Sequence, residues 1–404
     1  MIQAKSRAVL PLFILAHFSH HLLTALIVPL LPYLRADFGL SYTRAGLLVS
    51  AFALAYGISQ LPAGWLGDRC DARLLLGIGT AGVAAAALGI GLTPSGGFAA
   101  LIALLILMGI AGGGYHPAAA PLLASRLEPA RQGRALGLHL IGGSASHFLT
   151  PLLAVSIAAL GGWRLSYILI SIPVLLFGLF FSLTLAPHPG RKAGDRPARQ
   201  TTPAPPTASA GPLRLAAFLI LSASLGAAAA SLLAFLPLFL VDSFSLSEQA
   251  AAGFLAMVYS AGLWAAPLGG FLSDRLGKVP VVAACGLCFG PLIFALSFTS
   301  FGFLFVLLLL LYGILMFARM PASEAFLVDS VRPELRSTLL GIYYFAGLEG
   351  SGLITPLLGS LIDRHGFAFA YRVLAIALLA VTLVCTAVLL RLGGKRAAAE
   401  APDG

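Results

Sequence analysis

His17, His20 and His21 crowd into a single short stretch of the chain, and with Thr24 they fall at i, i+3, i+4 and i+7. A helix through them carries all four on one face. Imidazoles grouped in this way can ligate a transition metal or exchange protons near neutral pH. Single histidines follow at His116, His139 and His147, and the series His139, Gly142, Gly143, Ser146, His147 and Thr150 again keeps helical spacing. That second face is small as well as polar, suited to close packing or to bordering a substrate. Farther along, the chemistry changes to Arg319, Glu324 and Glu349, a guanidinium that can attract an anion and two carboxylates that can take up a proton. Arg319 and Ser323 share a helical face, with Glu324 about 140° round from Arg319 at 100° per residue.

These groups sit in an unusually apolar chain. Of 404 residues, 59% are hydrophobic and only 10% charged, and the mean hydropathy is +0.96. No soluble surface can be built from that composition. The net charge of +10 would raise the question of nucleic acid, but the basic residues lie between apolar runs, which excludes it. Runs long enough to cross a hydrocarbon core of roughly 30 Å begin near Leu10, Ala45, Leu74, Ala99, Gly133, Leu165, Leu213, Ala250, Val279, Gly302, Thr338 and Arg372. The fold class is therefore an all-α membrane protein of twelve transmembrane helices. Met1 to Arg7 is short and basic ahead of a long run, so a first span is expected and not a cleaved signal peptide.

Basic residues are unevenly shared between alternate joints. Nineteen fall on one side and five, Arg35, Arg44, Arg164, Arg364 and Arg372, on the other, with Arg319 inside a span. The positive-inside rule then puts both termini and the central loop in the cytoplasm, with the chain in the cytoplasmic (inner) membrane. Residues 1–186 and 213–393 are read as two six-helix bundles, 187–212 as a flexible cytoplasmic linker rich in Pro, Ala, Arg and Thr, and 394–404 as a cytoplasmic tail. Cys285 and Cys288 form a CxxC inside a span, which points to small packed residues and not to a redox or metal pair.

The chain matches itself at a shift of 204 to 206 residues, in order along both halves. Gly64-Trp-Leu-Gly-Asp68-Arg69 recurs as Gly270-Phe-Leu-Ser-Asp274-Arg275, Leu136-Gly137 as Leu340-Gly341, Thr150-Pro151 as Thr355-Pro356, and Tyr167 as Tyr371. Duplicated bundles can rock about a midplane site and open alternate mouths, which makes transport the leading expectation. The doubled loop resembles the signature that follows the second helix in the major facilitator superfamily. Gly270, Leu272, Asp274, Arg275, Gly277 and Lys278 match it closely, and Gly64, Leu66, Asp68, Arg69 and Arg73 match with Asp71 where the pattern has glycine. The expected role is a cytoplasmic latch, a carboxylate holding a neighbouring helix end or an arginine. Spans 3, 6, 9 and 12 carry no ionisable group, and the resemblance implies that these four are peripheral while the other eight surround a cavity.

Several stretches are similar to the fosmidomycin resistance group of efflux transporters. They are Ala16-His17-Phe18, Pro29-Leu30-Leu31, Phe38-Gly39-Leu40-Ser41 running to Gly46-Leu47, Gln60, and Tyr115-His116-Pro117. His21 and Ala118 stand where that group has acids, Leu105 where many drug/proton antiporters have arginine, and Thr150-Pro151 where they have Gly-Pro. The resemblance implies proton-coupled efflux of a small polar or anionic compound. The substrate and coupling cavity is expected to use His17, His20, His21, Gln60, Tyr115, His116, His139, His147, Arg319, Glu324 and Glu349. Arg319 would attract the substrate, Glu349 or a histidine would exchange the proton, and a static Arg319 to Glu349 pair is the competing possibility.

Three other readings rank behind. One is proton-coupled uptake of an organic acid, and another is transport of a metal ion or chelate held by His20, His21 and His116. The remotest is a membrane di-metal oxidase, since His17-Phe-Ser-His20-His21 fits HxxHH, but such an enzyme needs several boxes and here one lies mid-span. No catalytic residue, cofactor or metal site is assigned. The partners expected are a small molecule, protons and the lipid bilayer, with the protein a monomer.

Overall fold

The computed structural model describes residues 2–67, 71–184, 211–332 and 335–399, and among these every regular element is a helix. In chain order they are α1 (Ile2–Thr24), α2 (Ile27–Phe38), α3 (Tyr42–Gly67), α4 (Ala72–Gly91), α5 (Phe98–Gly112), α6 (Tyr115–Ser125), α7 (Pro129–Gly161) and α8 (Trp163–Thr184). They continue with α9 (Pro212–Phe244), α10 (Glu248–Leu276), α11 (Lys278–Leu296), α12 (Phe303–Ser330), α13 (Arg336–Tyr344), a π-helical turn (Phe345–Glu349) and α14 (Ser351–Ala399). Most of the 187–212 linker, and Asp68, Arg69 and Cys70, lie outside the described residues.

These elements make twelve spans. α1 and α2 form the first as one apolar stretch, Val9–Phe38, and α5 and α6 form the fourth, Phe98–Ser125. Proline accounts for both interruptions, because Pro29 and Pro117 supply no N–H to the carbonyl four residues back. The stretch Thr338–Leu392 holds the last two spans. They part at Gly366, whose φ of 78° ends one helix, as Gly162 with φ 82° ends the fifth span 204 residues earlier. α3, 26 residues with Arg44 as its one charged side chain, is the second span.

The duplication extends to individual contacts. Gln132 Nε2 donates to the Ala124 carbonyl at 3.0 Å, and 204 residues on Arg336 Nε donates to the Val328 carbonyl at 3.0 Å. Trp163 meets Tyr167 edge-on at 6.1 Å, and Phe367 meets Tyr371 edge-on at 5.9 Å. Both tyrosines are fully buried.

The helices pack into two compact units. The first takes the described residues of Met1–Thr201 together with Leu233–Ser260 and Thr355–Gly359, and the second takes those of Thr202–Leu232, Ala261–Ile354 and Ser360–Gly404. Packing units and sequence repeats thus differ, and the first unit shows why. A side chain on Gly359 would stand 2.5 Å from the Tyr42 carbonyl, and one on Gly46 would stand 3.0 Å from Pro356. Asp242, at the end of α9, accepts from Arg35 Nη1 at 3.0 Å and from the Tyr42 hydroxyl at 2.7 Å. In the same unit Asp37 accepts from Arg164 Nη1 at 2.8 Å and from Trp163 Nε1 at 3.2 Å.

Spans without ionisable groups pair through glycine. In the first unit α4 lies on α8, where a side chain on Gly178 would stand 2.8 Å from Ala81 N. In the second, α11 lies on the later part of α14 through Gly286 against Thr382 and Gly290 against Leu379. Small residues let helix backbones approach where lipid gives no hydrophobic drive. Cys285 is buried, Cys288 exposed, and both are free thiols.

Gly178→Ala should lower stability by about 1–3 kcal/mol through overpacking. Gly137→Ala, on a helix with nothing within 4 Å, should raise it by about 0.5–1 kcal/mol. Thermal melting in detergent reads both, and equal effects would remove the close-packing account.

Candidate functional site

In the first unit one helix face gathers the imidazoles. α1 presents His17, His20 and His21, α6 brings Tyr115 and His116, and α7 brings His139 and His147. His17 stacks on His139 with ring centroids 4.3 Å apart, and His20 stacks on Tyr115 at 4.4 Å. His21 lies 4.8 Å from His17, 5.3 Å from His116 and 4.6 Å from His147. Six histidines from three spans therefore form one cluster.

Hydrogen bonds divide the work among them. His17 Nδ1 donates to the His139 carbonyl at 2.9 Å, and His139 Nδ1 donates to the Phe13 carbonyl at 3.0 Å. These reciprocal bonds strap α1 to α7. The strap requires close approach, since a side chain on Gly142 would stand 2.4 Å from the Ile14 carbonyl and one on Gly143 2.6 Å from the His17 ring. The small face read from the α7 sequence is thus a packing seam. His20 Nε2 pairs with the Tyr56 hydroxyl at 3.0 Å, and His21 Nδ1 lies 3.4 Å from Thr24 Oγ1. Gln60 stands one turn beyond Tyr56 on α3, half-buried.

The glycine run before Tyr115 serves the same cluster. A side chain on Gly112 would meet the Tyr56 ring at 3.0 Å and His20 at 3.3 Å, and one on Gly109 would meet the Phe52 carbonyl at 2.6 Å. Tyr56 and Tyr259, whose ring lies 5.2 Å from His147, were not among the residues singled out by sequence. The available signal was a tyrosine in an apolar span, whose hydroxyl needs a partner.

The second unit holds the other constellation. Among the described residues Arg319 is the one buried lysine or arginine, 2% exposed. Its Nη1 donates to the Ser222 carbonyl at 3.3 Å, and Ser222 and Ser323 hydroxyls lie 3.1 Å apart. α12 therefore turns Arg319 and Ser323 toward the same residue of α9, as their spacing requires. Glu324 points instead to the Tyr344 hydroxyl, and Tyr343 bonds with Ser323 and Arg319. Ser222, Gly226, Met320, Tyr343, Tyr344 and Gly347 enclose a cavity beside Arg319 of ≈ 10 Å³, room for about one water. Glu349 is buried at the end of the π-helical turn.

The loop motif resolves into separate roles. Arg73 pairs with Asp71 at 3.3 Å, and the Asp71 carboxylate accepts from Arg73 N at 2.9 Å as the N-cap of α4. Asp71 replaces the pattern's glycine with a cap. Gly64 lies on α3. In the second copy Gly270, Asp274 and Arg275 end α10, with Arg275 over the Phe271 ring at 4.3 Å. Gly277, at φ 90°, turns the chain into α11, and Lys278 forms an ion pair with Asp329 of α12. Among the described residues Asp274 makes no ion pair, so the charge tie at this turn runs through Lys278.

The profile of the Major Facilitator Superfamily matches residues 13–266 and again 249–403. The chain belongs to that superfamily. It is a multi-pass membrane transporter with two matching halves. The fosmidomycin resistance protein of Escherichia coli K12 is 26% identical over 369 residues, 89% of this chain and 88% of that one. A probable sulfoacetate transporter of Cupriavidus necator is 27% identical over 263 residues, 61% of this chain and 60% of its own. In fold, a bacterial homolog of the human lysosomal transporter Spinster, crystallised inward-facing and occupied, superposes with a TM-score of 0.77 at 19% identity, covering 96% of each chain.

Gly226→Ala should reduce transport while leaving expression intact, because the new methyl would stand 3.1 Å from Arg319 Nη2 and 3.0 Å from the Gly347 carbonyl. Asp71→Ala should cost about 0.5–2 kcal/mol of stability as a lost helix cap, read by melting in detergent.

Proposed function

We propose that the protein is a secondary active transporter that exports a small organic anion in exchange for protons, by alternating access. The observation that carries this is Arg319. A guanidinium held inside a span is costly unless it serves a partner or a pathway, and its Nε has no hydrogen-bond partner among the described residues. A carboxylate, sulfonate or phosphonate matches that fork of donors. Relatives named for fosmidomycin resistance and sulfoacetate transport support an acid as cargo, and the resemblance of the Ala16-His17-Phe18 and Tyr115-His116-Pro117 stretches to efflux transporters supports export.

Glu349 is assigned the proton exchange. It is a buried carboxyl in a π-helical turn, a geometry frequent at functional sites. The uneven spread of basic residues supports cytoplasmic termini in the inner membrane, and a monomer suffices for this mechanism.

Inside-out vesicles reconstituted with the protein and given an acidic lumen should accumulate the cargo from a panel of phosphonates, sulfonates and carboxylates. A protonophore should abolish that accumulation. Arg319→Gln should raise KM at least tenfold, and Glu349→Gln should keep exchange of labelled for unlabelled cargo but lose its response to the pH gradient. An unchanged pH response in Glu349→Gln would remove that residue from coupling, and accumulation only from the acidic side would establish uptake instead.

A further inference from the structure

We propose that His17, His21 and His116 bind one divalent transition-metal ion of the class that favours imidazole, such as zinc, cobalt or nickel. Each side chain offers one ring nitrogen, and the three atoms lie within 4.8 Å of one another. In a tetrahedral site with metal–nitrogen bonds of about 2.0–2.1 Å the ligand atoms stand roughly 3.4 Å apart. Side-chain rotation closes that difference.

His17 is already set for the task. Its Nδ1 donates to the His139 carbonyl, which can only accept, so Nε2 carries the lone pair. That Nε2 is buried and has no hydrogen-bond partner among the described residues. Metal-binding histidines are ordinarily held in this way, the second nitrogen fixed by a carbonyl or carboxylate. His147 Nδ1 is likewise buried without a hydrogen-bond partner, on a ring 4.6 Å from His21, so a further nitrogen lies beside the trio. His17 is buried, His21 half-buried and His116 exposed, which gives the ligand set an open side for the ion.

The trio differs by one residue from the set expected from the sequence, His20, His21 and His116. His20 is not among the three whose nitrogens converge; its Nε2 pairs with the Tyr56 hydroxyl and its ring stacks on Tyr115. His17 takes its place because α7 orients it.

Cobalt(II) is the probe, titrated into the full-length protein in lipid nanodiscs. One ion per chain is expected, with the strong visible absorption of tetrahedral cobalt and displacement by zinc. His21→Gln and His116→Gln should each weaken binding at least tenfold, in line with losses at supporting residues of metal sites, while His20→Phe leaves it unchanged. Absence of stoichiometric binding, an octahedral spectrum in the unmodified protein, or full affinity in both glutamine variants would overturn the proposal. The unmodified protein's spectrum does not depend on how any variant folds. Binding is measured without transport, so its outcome stands apart from that of the proton-exchange reading.

Discussion

Hydrocarbon forms no hydrogen bonds, and nearly every feature of this chain answers to that fact. Backbone groups are satisfied inside helices, so the element list is fixed before any side chain is considered. Polar side chains must then find partners within the protein. His17, His139, His20 and Arg319 do so across helices, three of them on main-chain carbonyls. The same bonds that keep imidazole and guanidinium tolerable also hold the spans together. Function and cohesion draw on one set of groups.

The two sequence repeats use a common frame for different chemistry. Side chains at Gln132 and Arg336 brace equivalent carbonyls, and Gly162 and Gly366 end equivalent helices. On that frame one copy accumulated histidines and the other an arginine with carboxylates. The imidazole set is crowded by aromatic rings and glycines, and its hydrogen-bond partners among the described residues are carbonyls and hydroxyls. The arginine set is bordered by tyrosines and serines. Each set can therefore be altered by substitution without changing the joints that both copies share.

Much of this was legible in the sequence because the controlling physics is local. Span length, apolar composition and a 204-residue echo are one-dimensional properties, and most of the observed helix starts fall within four residues of the runs read from them, the first helix, from Ile2, and the last span, from Gly366, beginning earlier. The face shared by His17, His20 and His21 followed from helical periodicity alone. What could not be read was which nitrogen each imidazole would spend on a hydrogen bond. That depends on the approach of α7, set by Gly142 and Gly143, and on Tyr56 three dozen residues away. Likewise the aspartate at 71 looked like a flaw in a glycine pattern. Its role as a cap depends on the extended backbone of Asp71 itself, with φ −65° and ψ 110°.

The π-helical turn accounts for an irregularity in the repeat itself. Leu136 and Leu340 are 204 residues apart, yet Thr150 and Thr355 are 205 apart, and between Leu340 and Thr355 the Gly350 amide bonds to the Phe345 carbonyl five residues back. The one-residue difference between the copies at this point is absorbed by widening a single loop of helix instead of breaking it. Glu349 closes that widened loop, so this acid occupies a register with no strict counterpart in the first copy. The extra residue and the carboxylate therefore share one turn of helix, and removing the first would also move the second to another face.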